Sequence, residues 1–446
     1  MKRMHRTQGQ TDRAWRKARW IPMLVLATSA AACGLLDNGL TVTAPDRVVT
    51  SQLEEPQNAG LLVQGAIGNF ECSLKDYIVA GGMMSGELMD ATETAARWDF
   101  DKRNVQPQTT LYSTAGCGSL GIYTPISTAR YTADNILHLL EGWTDAQVTG
   151  RTTLIGKAAT YAGYSRILLG EAFCTAAIDT SAELTSKDIF AQAVAKFDTA
   201  IAAATKAGDD STLNLARVGQ ARALLDEGNA NAAAAVAAQV PPGFVIEASS
   251  DLSHGYRQNF VVSENNNGHS VSIPPAYRNV ILVTAGDTMK DPRVPVTPSI
   301  DTIIGTDTIV KLAGDGSTPL YLQGKYATAT SPIPVASYTE AQLIVAEDKG
   351  GAQAVSIINA LRATDGLPAY AGPTDAASIT ALIAQERARW LFLEGQHLYD
   401  LRRLNIAPLP APGTPYSIVF TKGGNYGKQV CFPLPDVERL NNPHLH

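Results

Sequence analysis

Cysteine and aromatic residues are scarce in this chain of 446 residues, which holds five cysteines and 7% Phe, Trp and Tyr. No CxxC pair or mixed His/Cys cluster occurs, which removes the common zinc frameworks. The GxSxG, HExxH and P-loop patterns are also missing, and with them the usual signatures of serine hydrolases, zinc proteases and nucleotide enzymes. No cofactor and no metal are expected. Positive charge is not in excess: 36 Lys+Arg stand against 42 Asp+Glu. Phosphate contacts need clustered Lys and Arg, so nucleic acid is excluded as a partner. Long apolar runs are absent too, since none reaches the roughly 20 residues that cross a bilayer.

The one apolar stretch near the start, "IPMLVLATSAAA", follows Lys2, Arg3, Arg6, Arg13, Arg16, Lys17 and Arg19 and ends just before Cys33. A basic segment, a short apolar run and small residues make an export signal, here residues 1–32. "AAAC" resembles the lipobox of bacterial lipoproteins, with Ala30 where Leu is usual. That resemblance implies cleavage before Cys33 and a diacylglycerol on its thiol, which holds the chain to a membrane. Cleavage removes seven basic residues and one acidic residue, leaving 29 Lys+Arg and 41 Asp+Glu, a net charge near −12. Residues 33–60 are polar with Pro45 and Pro56 and read as a tether. In an exported chain the remaining Cys72, Cys117, Cys174 and Cys431 can form disulfides in three connectivities. Cys72 with Cys117 is favoured, because both flank loop-like stretches of the N-terminal half; Cys174 with Cys431 is the companion pair.

Residues 61–446 read as a single domain. In 61–240 helical spacing dominates. "GRTTLIGKAATYAGYSRILLGEAFC" places Gly163 and Gly170 where a second helix can approach closely. "SKDIFAQAVAKFDTAIAAATKAG" offers Ser186 as a cap and Ile189, Val194, Phe197 and Ile201 as an apolar side. A further helix, a Gly228-Asn229 turn and an Ala-rich helix follow. These helix–turn–helix units resemble tetratricopeptide repeats with irregular spacing. Residues 241–331, rich in Asn, Gly, Pro, Thr and Val, predict loops and short strands. Helical pattern resumes over 332–446. The fold class is therefore mainly α, helix pairs carrying a loop- and strand-rich insertion, the kind of place where a binding face is expected.

One long helix is expected to carry Ile379, Ile383, Glu386, Trp390 and Leu393 on a single stripe. A carboxylate on an apolar stripe must be paired, and Arg387, Arg389, Arg402 and Arg403 are the nearby cations, with Glu394 in the same network. Arginines hold a carboxylate ionised, so a glycosidase acid is excluded in favour of a structural ion network of Glu386, Glu394, Arg402 and Arg403.

"ERARWLFLEGQHLYDLRRLN" resembles the C-terminal signature of the SusD/RagB family of outer-membrane nutrient-binding lipoproteins. "YTEAQLIVAEDKGGAQAVSIINALRATDGLP", "CFPLPDVERLNNPHL" and "YTPISTARYTADNIL" are similar to other segments of that family. The resemblance implies an α-rich domain of tetratricopeptide-like helix pairs, lipid-anchored at the outer membrane and facing outward. It further implies a TonB-dependent SusC-type transporter as partner, an oligosaccharide or peptide as ligand, and no catalysis. A periplasm-facing lipoprotein whose helices scaffold other proteins is the alternative.

Sugar rings stack on aromatic planes while polar edges bind their hydroxyls. Trp98, between charged and polar neighbours with Asp99, Asp101 and Arg103 close by, is the first candidate platform. Tyr256 with Arg257 and Asn259, and Tyr277 with Arg278, come second. "GCGSLG" at 116–121 matches GxGxxG, with Glu141 twenty residues on, but no βαβ unit surrounds it. It is read as a disulfide-bearing loop. Glu87, Asp90, Glu93, Asp99 and Asp101 lack the spacing of a calcium loop and are read as a solvated acidic stretch.

Overall fold

The computed structural model describes residues 53–283, 288–304, 307–416 and 422–445. Cys33, the export signal and most of the tether lie outside them. Among the described residues no helix is long and apolar enough to cross a membrane.

The first long helix, α1 (Ala59–Ser85), stops where Gly86 adopts φ +84°. After β1 (Met89–Asp90) come the short helices α2 (Ala95–Asp101) and α3 (Thr110–Ser113). Then α4 (Tyr123–Gly142), α5 (Arg151–Ala172), β2 (Thr175–Ala176), β3 (Leu184–Thr185), α6 (Ser186–Ala207), α7 (Asp210–Glu227) and α8 (Ala230–Ala237) follow. From α4 to α8 each helix packs on its predecessor, and α4 also packs on α1. Close approach explains why small residues recur. A Cβ at Gly163 would stand 2.7 Å from the Phe197 ring, and one at Gly170 would stand 2.6 Å from Phe190. Only glycine lets α5 accept these two rings from α6, and burying each contributes about 1.5–3 kcal/mol.

Thr185, not Ser186, caps α6. The Asp188 backbone N–H donates to Thr185 Oγ1 at 3.3 Å, and the Thr185 N–H donates to the Asp188 carboxylate at 2.9 Å, a reciprocal capping box. Ser186 is instead buried and donates to Phe173 O. The face of α6 turned inward is Ile189, Phe190, Ala193, Phe197, Ala200 and Ala204. Val194 and Ile201 flank it half-buried.

Strands fall mainly between Val245 and Ser337. They are β4 (Val245–Ala248), β5 (Val271–Ser272), β6 (Ile281–Val283), β7 (Thr288–Lys290), β8 (Val296–Pro298), β9 (Ile300–Ile304), β10 (Asp307–Val310), β11 (Tyr321–Gln323) and β12 (Ile333–Ser337), with the short helix α9 (Pro275–Arg278) before β6. They form antiparallel two-stranded ribbons, not a sheet. Two of these ribbons reach back to the frame: β1 pairs with β5, and β12 pairs with β4 before leading into α10 (Tyr338–Lys349). The chain continues through α11 (Gly351–Thr364), α12 (Ala376–Trp390), α13 (His397–Arg403) and α14 (Asp436–Asn441). The main core joins α1 and α4–α8 to Phe392, Leu393, Leu398, Phe432 and Leu434 near the C-terminus. Cys72 is bonded to Cys117 with Cα atoms 5.8 Å apart, and Cys174 to Cys431 at 5.1 Å.

The one long helix expected to carry Ile379 through Glu394 ends at Trp390, and a second helix starts at His397. Leu393 at φ +56° and Gly395 at φ +89° break it between α12 and α13, so Leu393 and Glu394 leave the stripe. The expected ion network is correspondingly divided. Glu386 is fully buried and accepts from Arg293 and Arg362, each at 2.6 Å, neither of which adjoins it in sequence. Glu394 pairs with Lys325 at 2.7 Å. Among the described residues Arg402 pairs with no carboxylate; it donates to Phe173 O and Ser186 Oγ, both at 3.1 Å. Arg403 joins Asp400 at 2.8 Å and also Glu347. The arginine nearest Glu386 in sequence, Arg387, points instead to Asp400 at 2.8 Å. Adjacent helical positions face different directions, so α12 sends Glu386 to one partner set and Arg387 to another.

Removal of one partner from a buried ion cluster leaves uncompensated charge, at a cost of roughly 3–5 kcal/mol. Glu386→Ala is expected to lower the urea midpoint by an amount corresponding to that loss, whereas Lys349→Ala, in an exposed pair with Asp348, is expected to change it by less than about 1 kcal/mol.

Candidate functional site

Trp98 and Asp99 stand on α2, both half-buried. The α2 segment is fixed from two sides. The β1–β5 ribbon holds its start, and Arg97 bridges Asp90 at 2.9 Å and Glu264 at 2.6 Å. At its end the buried Arg103 donates to Gly427 O and Leu409 O, both at 3.0 Å, and to Pro410 O, while its guanidinium lies 4.7 Å from the Tyr426 ring centroid. These bonds bring the C-terminal loop, and with it Tyr416, against α2.

The result is a compact aromatic and charged cluster. Trp98 Nε1 donates to Thr92 O at 2.9 Å, which fixes the indole. The Lys102 ammonium lies 5.4 Å from the Trp98 ring centroid and 5.1 Å from that of Tyr416, within cation–π range of both. Tyr416 donates to Asp101 Oδ2 at 3.2 Å, and the Asp90 N–H donates to the same oxygen at 2.8 Å. Beside Tyr416 opens a cavity of about 330 Å3, lined among others by Asp90, Asp101, Arg278, Thr318 and Lys422. Arg278 lies 4.0 Å from the Tyr321 ring centroid and donates to Ile273 O. Lys422 bridges Asp315 at 2.6 Å and Asp90 at 3.8 Å. Aromatic planes beside hydroxyl, carboxylate, ammonium and guanidinium groups suit a polyhydroxylated ligand.

The other predicted site residues lie elsewhere. Tyr256 is exposed, stacks on His254 with centroids 5.2 Å apart, and packs near Gly118 in the disulfide loop. Arg257 is tied to Asp251 at 3.0 Å, and Asn259 is buried with its amide on Ser331 O. Tyr277 stacks on Phe392 at 5.1 Å and lines a separate cavity. Tyr277 and Arg278, adjacent in sequence, thus serve two different cavities on either side of α9. The GxGxxG stretch is a loop whose Gly118 N–H donates to the buried Asp76 carboxylate at 2.9 Å.

The acidic stretch is not solvated as expected: Glu87, Asp90 and Asp101 are buried, each against a donor. Glu87 accepts the Leu393 N–H at 3.2 Å, and Asp90 accepts from Arg97. Among the described residues no group of three or more His, Cys, Asp or Glu is arranged to hold a metal. Sequence reasoning missed Tyr416 and Lys422. Tyr416 is 315 residues from Asp101, and no local pattern links them.

Neither a protein-family model nor a curated protein matches the sequence. Solved structures do. A SusD superfamily protein from Bacteroides vulgatus is 15% identical, the match covering 87% of this chain and 98% of that one, with a TM-score of 0.63. The chain has the SusD-like fold. Two other structures with this fold are a laminarin binding SusD-like protein (16% identical, 87% and 98% covered, TM-score 0.55) and surface glycan-binding protein A from Bacteroides uniformis (15%, 86% and 98%, TM-score 0.60). The matches take in nearly the whole length of each SusD-like chain, so the loops that carry the Trp98 cluster are set on a complete SusD-like frame.

Burial pushes the Asp101 carboxyl up to about 7, because the charged form is desolvated and its neighbour Asp90 adds like charge. An acid raised in the folded state above its ordinary value of 3.8 takes up protons on folding between those pH values. It therefore favours the fold at acid pH, and that contribution is lost as pH rises through about 7. Asp76 and Glu87, raised by burial to about 7 and about 8, act in the same direction. The melting temperature is expected to fall between pH 5 and 8, and Asp101→Asn is expected to remove part of that fall. An identical pH profile in wild type and variant would assign the fall to other groups.

Proposed function

We propose that this chain is a SusD-family lipoprotein that captures an oligosaccharide at the outer face of an outer membrane and delivers it to a TonB-dependent SusC-type transporter. The observation that carries this reading is the near full-length likeness to SusD-like structures, two of them named for glycan binding. The candidate lipobox at Cys33 supports membrane anchoring, and the acidic body agrees with a neutral rather than polyanionic ligand. In this reading the protein binds and does not catalyse. Two arginines hold Glu386 below the usual carboxylate range, so it keeps its charge and does not supply a proton as an acid would.

Trp98 provides the stacking plane, and Asp99, Lys102 and Arg278 the polar edges for sugar hydroxyls. Tyr256 and Tyr277, set apart from this cluster, contribute at the margin of a longer ligand or not at all. Binding of the full chain to arrayed glycans and peptides tests the proposal. A glycan bound by wild type is expected to bind Trp98→Ala about tenfold more weakly with the melting temperature unchanged. Peptide binding alone would replace the sugar reading with a peptide one, and an unchanged glycan affinity would remove Trp98 from the site.

Anchoring has its own test. Intact mass of the mature protein is expected to show an N-terminal Cys33 carrying acyl chains, and protease added to intact cells is expected to digest the body. Protection from external protease would favour the periplasm-facing scaffold instead.

A further inference from the structure

Behind Tyr277 lies a cavity of about 460 Å3, between α12, α13, α9 and the end of α1. Its wall is mostly aliphatic, with Val280, Val294, Leu401 and Ile406 among the lining residues. Five polar side chains line it, Ser85, Tyr277, Gln385, Arg389 and His397, and the Ser85 hydroxyl donates to Gly82 O within its own helix. A second cavity of about 330 Å3 shares Ile281, Gln385 and Arg389 with the first. Both cavities therefore meet at Arg389.

The charge around Arg389 is unbalanced. Glu386 is paired with Arg293 and Arg362, and Asp291 is held by Arg293 at 2.7 Å. Among the described residues Arg389 pairs with Asp291 alone, at 3.6 Å. The cluster thus sets three guanidinium groups against two carboxylates. Of the three, Arg389 is the one that lines both cavities; Arg362 lines the second, with its guanidinium committed to Glu386.

We propose that this cavity is a second ligand site, for a small apolar molecule bearing a carboxylate, with Arg389 receiving the anion. The aliphatic wall takes the apolar body by removing its surface from water. Arg389 binds the carboxylate by charge-assisted hydrogen bonds in a partly desolvated setting, where such bonds are strong. Tyr277, Gln385 and neutral His397 supply further donors and acceptors. Burial keeps His397 below its ordinary range, so it does not add positive charge at neutral pH. The site is distinct from the Trp98 cluster and does not depend on how that cluster is read.

Titration calorimetry of the full chain with 4-phenylbutyrate, and with 4-phenylbutanamide as the uncharged counterpart, tests the proposal. The carboxylate is expected to bind roughly tenfold or more tightly than the amide. Arg389→Gln is expected to abolish that preference. Ala276→Trp, which fills the cavity from the exposed helix α9, is expected to block both probes while retaining the wild-type melting temperature. Trp98→Ala is expected to bind both probes as wild type does, which separates this site from the glycan proposal. Failure of wild type to bind 4-phenylbutyrate, equal affinity for acid and amide, or an unchanged preference in Arg389→Gln would each overturn the proposal.

Discussion

The buried carboxylate of Glu386 ties together three parts of the chain that are far apart in sequence. It sits on α12, receives Arg362 from α11, and receives Arg293 from the strand-rich insertion. A fully buried carboxylate that stays ionised needs well-placed cationic donors. The insertion must therefore dock with Arg293 in place for the C-terminal helices to keep Glu386 inside. Asp291, two residues before Arg293, orients that guanidinium with two bonds at 2.9 and 2.7 Å. The arrangement couples the loop-rich region to the helical frame through electrostatics, while the frame itself closes by small-residue packing.

That division bears on where cavities open. The helical frame from α4 to α8 is packed around Phe190 and Phe197 and leaves no room for ligands near its glycines. Open space appears where the insertion meets the frame, on the two sides of α9. On one side Tyr416, which shares Lys102 with Trp98, lines a hollow with Asp90, Asp101 and Lys422. On the other the aliphatic cavity ends at Arg389. The four residues of α9 separate the two hollows, which is why consecutive residues Tyr277 and Arg278 have different surroundings.

The C-terminal loop acts as the second clamp. Arg103 binds three of its backbone carbonyls, and those bonds set Tyr416 beside Lys102 and Asp101. Asp101 is raised toward neutrality by the same enclosure. The candidate binding cluster is thus built from two segments at opposite ends of the chain, held by one arginine.

By itself the sequence determined the helical frame. Apolar spacing marked α5, α6 and α7, Gly163 and Gly170 marked the close approach, and the Glu386 stripe marked a buried charge, because these signals arise within one helix or between neighbours. The likeness of the C-terminal segment to SusD/RagB proteins pointed to the fold that the solved structures share. Trp98 was legible as an aromatic residue in polar surroundings. Tertiary structure alone decided the partners: Arg293 and Arg362 for Glu386, Tyr416 for Asp101 and Lys102, and Arg389 as the cation left over. It also decided where the expected long helix breaks and which acids are buried. Pairing across tens to hundreds of residues leaves no periodic trace in a single sequence. Such contacts are selected by which side chains the packed chain brings within a few ångströms, and periodicity reports only which face a residue occupies.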